Sequence, residues 1–377
     1  VPKKKEGVAR SPYVHHIVAT LEERIRTGIY PGGRWLPTER ELCSEFAVSR
    51  AILRQALIEL ERNSLVIRAA GCRPFVKTDV GPANHRRDTA RYNLGLCLKH
   101  DPKYSGTYLI TQGVRQVLDD DTYRLVIADS NAVTLNAVAA EEAEALLRMV
   151  RDEDIAGIIL WYCGGDANLP VLQAVQAAHI PMIFVDRVPP EGIEADYVSI
   201  DNQRAARQAV DYLISLGHRH IAHVTNPEPV STVYERMAGY YEALDAAGIA
   251  RNEALVLTGQ LEGMAEEGLN AGDIVERLLR LPTPPTALFA VTDYIALAVV
   301  RALQERGLSV PADLAVIGFD DLEQWFPQKP FLTTVQQPFE RIGGEAANIL
   351  IRRLNGSPTH RVRHVLLEAS LVVRDST

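Results

Sequence analysis

From Asn93 onward the chain repeats one grammar: a short β-rich apolar run, a polar break, then apolar residues at helical spacing. This alternation constrains the fold most, because strands separated by helices pair in parallel through right-handed crossovers. Strands are expected at 94–98, 124–128, 157–160, 182–185 and 197–200, then at 220–225, 254–257, 287–290 and 315–318. Helical patterns lie between and after them, among others at 137–150, 203–216, 233–247, 294–306 and 339–354. Two series of similar length predict two doubly wound α/β lobes, with a cleft at the carboxyl ends of the strands.

The first 78 residues follow different rules. Thr38 with Glu41 three residues later forms a capping box that starts a helix, and 47–49 has the length of a helix-turn-helix turn. Ser49 is placed to cap a second helix from about 50 to 62, whose Leu53, Ala56, Leu57 and Leu60 fall on one face. Arg50 and Arg54 flank that face one turn apart. Two short β-rich runs, 65–68 and 74–77, are joined through Gly71. A helix that offers arginines at its N-terminal end, followed by a β-wing, suits a DNA major groove. An earlier helix over 11–28 carries a stripe of Val14, Ile17, Val18, Leu21 and Ile25, while 79–91 is polar, aperiodic and reads as a linker.

Charge follows the same division. The chain of 377 residues has a net charge of −8, which by itself argues against nucleic-acid binding. Residues 1–78, however, carry 14 Lys and Arg against 8 Asp and Glu, whereas the rest carries 26 against 40. A basic head on an acidic body confines the electrostatic footprint to one module. Cys43, Cys72, Cys97 and Cys163 have no metal-ligand spacing and suit a reducing cytoplasm. The lysines near the N-terminus lack the apolar run of a signal peptide, and no apolar stretch approaches membrane-spanning length.

The stretch "PTERELCSEFAVSRAILRQALIELERNSLVIRAAGCRPFVK" resembles the GntR-type winged helix over about residues 13–78. The resemblance implies DNA contacts from Arg40, Ser49, Arg50 and Arg54, with Gly71 at the wing tip in the minor groove and Arg73 beside it. Here "GCRPF" replaces the usual glycine-rich tip, and Ala51 and Ile52 replace hydroxyl residues. Farther on, "LGHRHIAHV", "ERMAGYYEAL", "VTDYIALAVVRALQERGLSVPADLAVIGFDD" and "LTTVQQPFERIG" resemble the LacI/GalR effector domain, which has the periplasmic-binding-protein fold. Together they are similar to AraR-type repressors, which answer to arabinose. The expected organisation is a winged-helix domain over 1–78, a linker over 79–92 and an effector domain over 93–377. Its first lobe is expected at about 93–199 plus 338–356, its second at about 200–335 plus 362–377.

A sugar needs bidentate polar partners for neighbouring hydroxyls and an apolar plate for its C–H face. Arg236 and Asp320 match the anchoring arginine and aspartate of the resembled family. Thr292 stands where that family often has asparagine, and Asp293 is open to either N-capping or ligand contact. Gln337 and Arg187 are further candidates, and Asp186 beside Arg187 either meets ligand or clamps the lobes. Trp161 and Trp325 follow expected strands, and Tyr104 is near in sequence; stacking on a sugar and interface packing both stay open.

No catalytic residue, metal or cofactor is expected. His218, His220 and His223 invite a metal reading, but 220 and 223 would face opposite sides of a strand. The first expectation is a cytoplasmic, homodimeric regulator that binds an operator and a small effector, with an arabinose-like pentose one candidate. The alternatives are an enzyme, since GntR-type heads also join aminotransferase-like bodies, and a transport binding protein. The sequence has no GxSxG, HExxH or P-loop, and the DNA head argues against transport.

Overall fold

A computed structural model describes residues 12–27, 29–31, 33–63, 65–67, 73–77, 92–98, 105–128, 135–151, 154–227, 230–259, 270–325, 329–355 and 361–377. The chain separates into two compact units, one built chiefly from residues before Asn93 and one from nearly all that follow.

The head comprises α1 (Pro12–Arg26), α2 (Glu39–Glu45) and α3 (Arg50–Arg62), then β1 (Val66–Ile67) paired antiparallel with β2 (Phe75–Val76). The capping box forms as expected: the Glu41 N–H donates to Thr38 Oγ1 at 3.2 Å, and the Thr38 N–H to Glu41 Oε2 at 2.7 Å. Ser49 Oγ accepts from the Ile52 N–H at 3.5 Å and opens α3. In the turn between them Ala47 takes a φ of 50°. Leu21, Leu36, Leu42, Leu53, Leu57 and Leu60 are fully enclosed, together with Ile17, Ile25, Val66 and Val76. At about 1.5–3 kcal/mol per enclosed aliphatic side chain, this cluster is what holds so small a module together.

In the second unit the first sheet collects β3 (Tyr92–Cys97), β4 (Tyr123–Ala128), β5 (Ile155–Leu160), β6 (Met182–Val185) and β7 (Asp196–Ile200). The linking helices are α4 (Ser105–Val117), α5 (Leu135–Arg151) and α6 (Leu169–Ala177). Then α7 (Asn202–Ser215) leads into a second series: β8 (Ile221–Thr225), α8 (Ser231–Ala246), β9 (Val256–Thr258), α9 (Ala271–Leu279), β10 (Ala287–Ala290), α10 (Asp293–Gln304), β11 (Ala315–Phe319) and β12 (Thr333–Gln336). The chain returns through α11 (Phe339–Leu354) and ends with β13 (His364–Leu367) and β14 (Ser370–Val372).

Strand order is β13-β7-β6-β5-β3-β4 in one sheet and β14-β12-β11-β10-β8-β9 in the other. Runs such as "IAGIIL" in β5 and "AVIGF" in β11 are buried along their whole length, as a parallel sheet covered on both faces demands. Two departures stand out. Residues 253–255 form a 3₁₀ turn capped by Asn252, so β9 starts two residues later than expected. The segment 362–377 does not all join the second lobe: β13 pairs parallel with β7 in the first sheet, and only β14 pairs, antiparallel, with β12. Both are half-exposed edge strands separated by two residues, and their pattern carries no mark of which sheet each one closes.

Helices α4 and α11 cross almost backbone to backbone. A Cβ on Gly113 would lie 1.8 Å from the Glu340 carbonyl oxygen, and one on Gly343 would lie 2.1 Å from that of Ile110.

Candidate functional site

The two sheets face each other across a cleft with an empty volume of about 630 Å³. Its walls come from the carboxyl ends of strands and the first turns of helices, where parallel α/β folds place their ligands. The first lobe contributes an aromatic wall. Trp161 follows β5, its backbone N–H donating to the Cys97 carbonyl at 2.9 Å, and its ring lies 6.0 Å from that of Phe339, which opens α11. Gly106 lines the same wall because any Cβ there would press on both rings. Asp186, at the end of β6, takes a φ of 65°. Its carbonyl accepts from Tyr197 Oη at 3.1 Å and Ser199 Oγ at 2.9 Å, which pins the turn. The next residue, Arg187, donates from Nη1 to the Tyr162 carbonyl at 3.0 Å.

The second lobe contributes charge. Arg236 enters from α8 and is almost wholly enclosed. Its Nε donates to Asn202 Oδ1 at 3.0 Å, and its Nη1 donates to the Val291 carbonyl at 2.7 Å and lies 3.6 Å from Asp320 Oδ1. Its guanidinium also lies over the Phe319 ring, 3.7 Å from the centroid, a cation–π seat that fixes its plane. Asp320 has a φ of 113° and accepts from Gln337 Nε2 at 2.8 Å. Burial pushes the Asp320 carboxyl up to about 6, against the pull of Arg236 and Gln337, with Asp186 adding repulsion. Glu235 is also pushed up, to about 7, by burial and by Asp186. Two polar atoms of lining residues have no hydrogen-bond partner among the described residues: Trp161 Nε1, a donor, and Gln337 Oε1, an acceptor.

On the head, Arg40 at the start of α2, Ser49 capping α3, and Arg50 and Arg54 one turn apart on α3 are all exposed. Arg73, before β2, is half-buried. With Arg40 it helps hold the Glu41 carboxyl below its ordinary range, an effect due first to the hydrogen bonds from Thr38.

Known proteins match along the same division. The family model for bacterial regulatory proteins of the gntR family matches residues 14–76, and that for the periplasmic binding protein-like domain matches residues 210–377. The HTH-type transcriptional regulator CelR of Thermobifida fusca is 34% identical over 279 residues, 73% of this chain and 76% of that protein. The chain belongs to the GntR/LacI-type transcriptional regulators. The arabinose metabolism transcriptional repressor of Geobacillus stearothermophilus is similar across head and body, 27% identical over 349 residues and 91% of each chain. The solved complex of a transcriptional regulator CelR with cellobiose has a TM-score of 0.65 at 26% identity, covering 91% of this chain and 100% of that one.

In this GntR/LacI-type regulator the cleft brings together Trp161, Arg187, Arg236, Thr292, Asp320 and Gln337. It does not take in Asp293, which is fully enclosed behind the wall, where it accepts from the Leu322 N–H at 2.8 Å and Thr334 Oγ1 at 2.6 Å. Burial and the Asp320 charge push Asp293 up to about 7. Nor does Asp293 cap α10; Thr292 does, through the Ile295 N–H at 3.5 Å. Gly71, Tyr104 and the Trp325 side chain lie outside the described residues. Sequence reasoning missed Phe339, Thr107 and Asn226 as lining residues. Asn226 could have been found from its place just after β8, and Thr107 from the first turn of the helix after β3.

His220 precedes β8 and is exposed, while His223 lies inside that wholly buried strand. His223 Nδ1 pairs with the Phe289 carbonyl at 3.0 Å, and its ring stacks between Tyr240 and Phe289. Among the described residues no three His, Cys, Asp or Glu side chains are grouped to hold a metal, and no helix is long and apolar enough to cross a membrane.

Proposed function

We propose that the protein is a cytoplasmic, homodimeric repressor of carbohydrate-utilisation genes, released from its operator when an uncharged sugar fills the cleft. The observation that carries this reading is the composition of the cleft. An aromatic wall of Trp161 and Phe339 faces the paired Arg236 and Asp320, which suits a ring with an apolar face and hydroxyl edges. An unpaired donor on Trp161 and an unpaired acceptor on Gln337 favour groups that both donate and accept, as hydroxyls do. Against a phosphorylated ligand, the Arg236 guanidinium is already engaged by Asn202, the Val291 carbonyl and Asp320. The cellobiose held by the CelR relative and the arabinose named for the second relative both belong to this uncharged class.

In this reading residues 1–78 dock on DNA through Arg40, Ser49, Arg50 and Arg54, with Gly71 and Arg73 in the wing. Residues 79–92 tether them to the effector domain at 93–377. A ligand that prefers the closed cleft shifts the lobes by its differential affinity and so changes the spacing of the two heads in a dimer. No turnover belongs to this scheme. The test is a thermal-shift panel of cellobiose, L-arabinose and D-ribose, with mobility shifts on duplexes selected in vitro. A sugar that raises the melting temperature and frees the duplex supports the reading. Chemical conversion of the bound sugar, or duplex binding that survives removal of residues 1–78, would sink it.

A further inference from the structure

Two consecutive residues other than glycine, Asp320 and Asp321, leave β11 with φ of 113° and 58°. Such backbone is strained and persists only where its neighbours over-determine it. The neighbours here are unusually well placed. Gln337 donates to Asp320 Oδ1 at 2.8 Å, and the preceding Gln336 donates to Asp321 Oδ2 at 2.8 Å. On the other side Arg374 Nη2 lies 2.6 Å from Asp321 Oδ1, and Arg374 Nη1 donates to the Leu332 carbonyl at 2.9 Å. The Arg374 backbone is itself fixed, because its N–H donates to Thr333 Oγ1 at 2.9 Å and the nearby Ser376 hydroxyl donates to the Val316 carbonyl at 2.6 Å.

Asp321 is only 1% exposed and does not line the cleft, so this clasp makes no contact of its own there. What it grips is the residue next to Asp320. The two glutamines stand where β12 gives way to the crossing into the first lobe, and Arg374 lies two residues after β14, where the chain has crossed back. The clasp therefore ties two inter-lobe crossings to one cleft carboxylate.

We propose that Arg374 is a positioning residue for the cleft: it fixes Asp321, and through it the strained backbone that aims the Asp320 carboxylate at the effector. The role rests on the reading of Asp320 as an effector contact. A guanidinium is required because it spans a carboxylate and a carbonyl at once, which a lysine ammonium on a flexible stem does not reproduce.

The test uses the full chain with Arg374→Met and, as the milder change, Arg374→Lys. Without ligand, amide exchange over 319–323 should quicken about tenfold or more in Arg374→Met, while exchange over 287–300 stays within about twofold. Loss of a merely stabilising contact would quicken both segments alike. With whichever of cellobiose, L-arabinose or D-ribose binds the parent protein, the dissociation constant should rise about tenfold in Arg374→Met and less in Arg374→Lys. Duplex affinity without sugar should hold within about twofold. Uniform exchange changes, or unaltered sugar affinity, overturn the positioning role alone. If none of the three sugars binds the parent protein, the effector reading falls and takes this role with it.

Discussion

Arg54 Nε donates to both carboxylate oxygens of Glu39, at 3.0 and 3.1 Å, so an exposed arginine of α3 is tethered back to α2. An exposed pair of this kind contributes under about 1 kcal/mol, so DNA phosphate can outcompete it. Its effect is on aim and on local charge, not on the stability of the head.

Replacing Glu39 with glutamine should therefore strengthen duplex binding about threefold at low salt and steepen the salt dependence by about one unit, because one more cation is free to displace counterions. Fluorescence anisotropy across a salt series measures both. In the same assay Arg54→Ala should weaken binding and leave sugar affinity unchanged. An unaltered slope in Glu39→Gln would mean that DNA already breaks the tether in the parent protein.

Asp320 gives the cleft a pH signature. As a carboxylate it can accept from two neighbouring hydroxyls; once protonated it loses its charge, and one of its oxygens turns from acceptor to donor. With its pKa pushed up to about 6, sugar affinity should hold above neutrality and decline as pH falls through 6. Asp320→Asn should bind about tenfold or more weakly at pH 8 and lose most of that pH dependence, since a buried hydrogen bond to a charged group has been removed. Calorimetry at pH 8 and pH 5.5 decides it.

His223 makes a contribution that also weakens in acid, but to folding. Burial drives its pKa down to about 4, below the unfolded value of 6.5. The unfolded chain then takes up a proton that the folded state refuses, so stability is full above about pH 6.5 and is lost as pH falls toward 4, by roughly 3 kcal/mol over the whole window. Glu142, Glu235, Asp293 and Asp320, all shifted upward, act the other way. The comparison must therefore be with His223→Phe, whose ring can keep the stack with Tyr240 and Phe289. The drop in melting temperature between pH 7 and pH 5 should be smaller in the variant; equal drops would exclude the histidine as its source.

A single methyl tests the crossing of α4 and α11. Gly113→Ala forces a Cβ into the Glu340 carbonyl, and the helices must part. Overpacking of this kind costs about 1–3 kcal/mol or more, which thermal denaturation should register as a fall of several degrees. An unchanged melting temperature would mean that the helices separate freely.

The head was legible because its signals are local. Thr38 and Glu41 lie three residues apart, and Ser49 lies three before the N–H it caps. The strand and helix alternation likewise announced both sheets. Arg236 and Asp320 were found through resemblance, and the geometry brings them together in the cleft. Asp293 resisted, because whether a carboxylate at a helix start faces ligand or core depends on Leu322 and Thr334, far along the chain. Phe339 was read as the start of a helix, and its place against Trp161 depends on a return crossing that its own neighbours do not reveal. The clasp of Arg374 on Asp321 joins residues 53 positions apart and leaves no periodic trace.

The pairing of β13 with one sheet and β14 with the other governs the order of assembly. Each lobe receives its closing edge from residues 364–372, so a nascent chain that has not yet released that stretch carries two unfinished sheets with open borders. The winged head draws its buried cluster from residues 14–76 and is free to settle before residues 364–372 emerge to close either sheet.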